Sequence, residues 1–180
     1  MTLNIFTIGS SLAMILSFGT ACTDSAATNT LAALEGDYVM TVHDIPAGVM
    51  EVPDGFRATK GEGVLRLTGS AKSPTSGWKT GGISFRLPEE VERQASGKTA
   101  TVTIYGASEG NGEVWVAYST NEVGNSHWRN LGHKPDSHGR SFKYKVPVAK
   151  DFRGDFIGIL PDPNGRGTAF ELKAIAVDIE

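Results

Sequence analysis

Lys98–Tyr105, KTATVTIY, alternates residue by residue: Val102 and Ile104 fall on one face and the threonines on the other. A period of two is the side-chain period of a β-strand, whereas a helix would scatter the same residues around its circumference. The signature recurs on moving outward. EVWVAYS, Glu113–Ser119, sets Val114, Val116 and Tyr118 against Trp115 and Ala117. SFKYKVPV, Ser141–Val148, sets Phe142, Tyr144 and Val146 against two lysines, as a strand with one face in water would. DFIGIL, Asp155–Leu160, is apolar on both faces and reads as a central strand covered on both sides. In TAFELKAIAVDIE, Thr168–Glu180, the apolar phase slips between Leu172 and Ile175, which predicts a bulge near Ala174.

Toward the amino terminus the same reading gives DYVMTV (Asp37–Val42), GVLRLTG (Gly63–Gly69) and GISFRL (Gly82–Leu87). PEEVERQASGK (Pro88–Lys98) reads as one helical turn or an open loop, because Gly97 ends any periodicity soon after it begins. Its Glu89, Glu90 and Glu92 are expected on a solvated face. The 22 glycines, set among short apolar runs, supply the tight turns that join strands. About eight strands without intervening helical periods make an all-β, antiparallel β-sandwich, of which the jelly roll is one form. With 180 residues, 39% of them hydrophobic, the chain has material for one core and hence one domain, expected over 34–180.

The amino-terminal MTLNIFTIGSSLAMILSFGTAC reads as an export signal over residues 1–21, apolar from Leu3 to Phe18 and followed by small residues. Cys22 is the single cysteine, which excludes an internal disulfide and a cysteine-ligated metal. Gly19-Thr20-Ala21-Cys22 resembles the lipobox of bacterial lipoproteins, which implies a lipidated Cys22 as the first mature residue. Cleavage after Ala27 is the alternative, and residues 22–33 form a tether. The expected location is the periplasm or outer membrane as a lipoprotein, or outside the cell if freely secreted, with the membrane met only through the signal or the lipid.

A net charge of −3, with no lysine or arginine run, excludes nucleic acid as a partner. Serine-nucleophile and phosphate-cradling motifs are absent. His127, His133 and His138 fall within twelve residues beside Asp136, but at spacings of no short metal motif, so they read as loop or ligand-contact residues. Arg86, Lys143, Tyr144, Lys145 and His127 are the residue types of a jelly-roll polysaccharide lyase. Tyr144 shares the apolar face of Phe142 and Val146, however, which places it in packing rather than chemistry.

The connection YSTNEVGNSHWRNL, Tyr118–Leu131, concentrates the side chains of a sugar contact surface. Asn121, Asn125 and Ser126 donate and accept hydrogen bonds, Arg129 offers a planar fork of donors, and Trp128 and Tyr118 offer ring faces for a pyranose. Together with FKYKVPV and DFIGILPDPNGRGTAFELKAIAVDIE, this arrangement over about Ile83–Glu180 resembles the galactose-binding-like jelly roll of many non-catalytic carbohydrate-binding modules. The resemblance implies a non-catalytic module whose polysaccharide or oligosaccharide meets the loop holding Asn121, Asn125, Ser126 and Trp128; the chemistry of the segment itself adds Tyr118, His127 and Arg129 to the expected contacts. The resemblance also implies a structural calcium between the first and last strands, with Glu35, Asp37 and either Asp178 or Glu180 as its carboxylates, as the one cofactor to look for. The same fold serves protein contacts, so an envelope protein partner is the alternative, and a lyase the second.

Overall fold

A computed structural model describes Leu34 and residues 36–70, 81–132 and 136–180, the side chains of 136–138 excepted. The export segment, Cys22, Ala27, the tether, Glu35 and Trp78 lie outside the described residues. In chain order the elements are β1 (Tyr38–Thr41), β2 (Met50–Glu51), β3 (Arg57–Lys60), β4 (Leu65–Thr68), β5 (Ile83–Arg86) and α1 (Glu89–Ala95). There follow β6 (Thr99–Ser108), β7 (Trp115–Thr120), β8 (Gly124–Asn125), β9 (Arg129–Asn130), β10 (Asp136–Lys145), β11 (Asp155–Leu160) and β12 (Phe170–Ile179).

Every strand expected from alternation forms, and all pair antiparallel into two sheets. The first sheet runs β10-β6-β12-β4-β3, with β1 end to end with β4 along β12. The second runs β2-β5-β11-β7, with β8 and β9 end to end along the outer edge of β7. From β4 onward the chain crosses between sheets at almost every connection, the winding of a jelly roll. Between the sheets, Ile83, Phe85, Val116, Tyr118, Ile157 and Ile159 of the second meet Leu65, Leu67, Val102, Ile104, Leu172, Ile175 and Val177 of the first. Each such side chain, fully buried, stabilises the fold by roughly 1.5–3 kcal/mol.

The bulge is where the apolar phase put it. Leu172 faces Gly106 and Ala174 faces Tyr105, so Lys173 has no opposite number on β6, and its carbonyl accepts the Val42 N–H at 3.1 Å. The extra residue returns Ile175 and Val177 to the core side that Phe170 and Leu172 occupy before it. DFIGIL is central, paired on both sides and buried throughout.

Two expectations are corrected. β10 begins at Asp136, so 136–140 is strand paired to β6 with a register slip before Arg140, and not loop. Pairing to the long neighbour β6 overrides the turn-forming composition. α1 is a true helix, and its buried side carries Val91, Glu92 and Ala95. Glu92 is therefore not part of a solvated face. Gly97, at φ 76°, stops the helix in a conformation few other residues adopt.

Candidate functional site

Residues opposite each other in an antiparallel pair share a face, so the register draws the surface of the second sheet. Arg86 lies opposite Phe156, Phe156 opposite Ser119, and Ser119 opposite Asn125. One row along, Glu51, Ser84, Gly158 and Ala117 line up across β2, β5, β11 and β7. In the last row Leu160, Trp115 and Asn130 align. Alternation places all of these on the side away from the core residues Phe85, Ile157 and Val116. The outer side of the second sheet thus carries Ala, Ser and Gly beside Phe156, Leu160 and Trp115, of which Trp115 is half-buried and the others buried.

Trp128 completes it. It lies in the break between β8 and β9, two residues before Asn130 and on the same side, and its ring reaches Gly82 at the head of β5: a Cβ built on Gly82 would stand 3.2 Å from Trp128 Cη2 and 2.3 Å from the Ile159 carbonyl. Glycine at 82 is what lets the indole come down there. Trp128 remains half-buried, as does Trp115. The Trp115 indole N–H is a buried donor with no partner among the described residues. Exposed Asn125, Asn130 and Arg86 stand at the margins.

Asn130 Nδ2 and Asn164 Nδ2 both donate to Glu113 Oε2 at 3.1 Å, which ties the loop after β11 to the head of β7. That loop is closed from within: the Asp162 carboxylate accepts the N–H groups of Arg166 and Gly167 at 3.0 and 2.7 Å.

The predicted contact residues do not act as one loop. Tyr118 is a correction: its ring is fully buried between the sheets, with its hydroxyl donating to Asp155, so it offers no platform. Ser126 is another, because its buried hydroxyl accepts the Tyr118 N–H at 2.9 Å and donates to the His127 carbonyl. Asn121 sits at the far end of β7, its N–H on the Gly154 carbonyl at 3.1 Å and its amide Nδ2 3.5 Å from the Arg153 carbonyl. Its neighbour Glu122 accepts the Asp151 and Lys150 N–H groups, and these bonds, that of Asp151 foremost, hold its carboxyl below the usual range. Asn125 Oδ1 accepts the His127 N–H at 2.9 Å, which braces the residue that bends the chain, His127 at φ 56°. Arg129, opposite Val116, is exposed at the core-facing side of the edge and stands apart from the Trp128 face. Of the set, Asn125 and Trp128 come together on the outer face. Trp115, Asn130, Ser84 and Arg86 join them, and the alternation of EVWVAYS already carried the signal for Trp115.

Among the described residues no three His, Cys, Asp or Glu side chains gather as a metal-binding set. Asp37 Oδ2 accepts the Ile179 N–H at 2.7 Å, and Asp178 is exposed opposite Thr101. These are two carboxylates where calcium takes six or more oxygens. Glu35 and His133 lie outside the described residues. Tyr144 packs in ring contact with Tyr118, centroids 5.5 Å apart, with its phenol raised by burial.

No family model matches the chain, and no curated protein does. Among solved structures it is similar to one described as "CBM4 structure and function", at 18% identity and a TM-score of 0.39, over 79% of this chain and 86% of that one.

Proposed function

We propose that this chain binds a polysaccharide or oligosaccharide, without cleaving it, on the outer face of its second sheet. The observation that carries the reading is Trp128, brought by the β8–β9 break onto Gly82 with part of its ring still open to solvent. A pyranose ring presents C–H groups to an indole face and hydroxyls at its rim. Here Asn125 and Asn130 flank Trp128 in the chain and their amides supply both donors and acceptors, while Arg86, four residues along β5 from Gly82, is placed for a neighbouring sugar unit. Affinity per site is modest, since sugar hydroxyls exchange water hydrogen bonds for protein ones with little net gain.

The proposal includes export, with the mature chain beginning at Cys22 or after Ala27. The tether joins β1 at Tyr38, which lies opposite Val177 at the end of the sandwich remote from the β6–β7 turn.

A glycan array followed by titration calorimetry on the best glycan tests the site. Trp128→Ala is expected to weaken binding at least about tenfold, near 1.4 kcal/mol, and Asn125→Ala by less. Unchanged affinity in both variants would move the site elsewhere, and absence of any glycan ligand with capture of an envelope protein would replace sugar by protein as the partner.

A further inference from the structure

Beneath α1, two carboxyl groups from distant parts of the chain are buried side by side. Glu92 is 3% exposed and Asp155, at the head of β11, is 1% exposed. The Tyr118 hydroxyl donates to Asp155 Oδ2, and the Gly154 N–H donates to Glu92 Oε1 at 3.0 Å, which holds the Glu92 carboxyl against the residue next to Asp155 in the chain. With both groups ionised, Asp155 Oδ1 is a buried oxygen without a donor. Two carboxylates so placed repel, and a single proton between them removes the repulsion and supplies the missing donor.

The surroundings do not remove the need for that proton. Glu89 on α1 adds negative charge on the Glu92 side, and Glu122 after β7 adds it on the Asp155 side. Arg86 on β5 is the cation acting on Glu92, and it is exposed to screening water. Tyr118 and Tyr144 contribute neutral phenols, both held protonated by burial.

We propose that Glu92 and Asp155 share one proton and form a latch: with the proton in place the pair ties α1 to β7, β11 and the 151–154 loop, and its loss loosens that end of the sandwich. The Gly154 carbonyl also accepts the Asn121 N–H, so the latch reaches the segment that leads to Trp128. Burial, helped by the charge of Glu92 and opposed by the bond from Tyr118, pushes Asp155 up to about 7. Burial raises Glu92 as well. A carboxyl raised in the folded state stabilises it fully below the unfolded value, and that contribution is lost as pH rises through about 7.

Amide exchange of Gly154 in the full chain reads the latch directly. After correction for intrinsic exchange, the opening constant is expected to rise about tenfold per pH unit from roughly pH 5 to 7 and to level off above about 8. Glu92→Gln keeps an acceptor for Gly154 and removes the neighbouring charge while burial of Asp155 remains, so its opening constant still rises with pH but by a smaller total factor than in the wild type. A flat wild-type profile, or a variant that keeps the full wild-type rise, overturns the latch. Should the variant not fold, carbon-13 titration of the wild-type side chains decides: both carboxyls titrating near their ordinary value of about 4 would overturn it as surely.

Discussion

The two outer faces of this sandwich are built from the same alternating strands and yet differ in kind. On the first sheet Ser141, Thr103 and Ala176 align across β10, β6 and β12, and Lys143, Thr101 and Asp178 form the next row. Lys143 reaches Glu180 at 2.9 Å. That face is hydroxyls and scattered charge, suited to water. On the second sheet the corresponding rows hold Phe156, Leu160, Trp115, Ala117 and Gly158, with Trp128 laid against Gly82. Most of these apolar groups are buried, and the part of them left to solvent is at the half-buried Trp115 and Trp128, beside exposed Asn130. What decides between the faces is the edge: β10 closes the first sheet as one long strand, whereas β8 and β9 are two-residue pieces whose break turns an aromatic back over the sheet.

The largest test of this contrast is Gly82→Val. Its Cβ would stand 2.3 Å from the Ile159 carbonyl, so the β5–β11 pairing and the seat of Trp128 must both shift. Urea melts should show a loss of about 1–3 kcal/mol, with glycan binding lost at the same time. If stability falls while binding persists, Trp128 does not need its seat. A finer test sets Trp115→Ala against Tyr105→Ala, one ring from each sheet. The first should weaken glycan binding severalfold, on the order of 1 kcal/mol, and the second should leave it unchanged; equal effects would erase the distinction between faces. The smallest effect belongs to Lys143→Ala, whose ion pair with Glu180 is exposed on both sides. Its loss should cost under about 1 kcal/mol in the same melts and leave ligand affinity alone.

The Tyr118–Leu131 segment shows where reading a sequence stops. Alternation in EVWVAYS already grouped Tyr118 with Val114 and Val116, and all three are core. The polar composition of the following loop argued for contact with a ligand, and the ring went with the loop. Glu92 was harder. A seven-residue helix shows too little period to mark a buried side, and the groups that make its burial tolerable, Gly154 and Asp155, lie some sixty residues away. Nothing near Glu92 in the chain announces them.

By itself the sequence determined the all-β class, the positions of the principal strands, the slip in β12 and the central, doubly covered β11. Each of these is written in the two-residue period, a property of neighbours along the chain. Only the tertiary structure decided which face of the second sheet meets the first sheet, that Tyr118 belongs inside while Trp128 crosses to Gly82, and that Glu92 is buried beside Gly154 and Asp155. Those outcomes depend on strand register and on contacts between distant segments, and a one-residue change of register would exchange the faces without altering any local pattern.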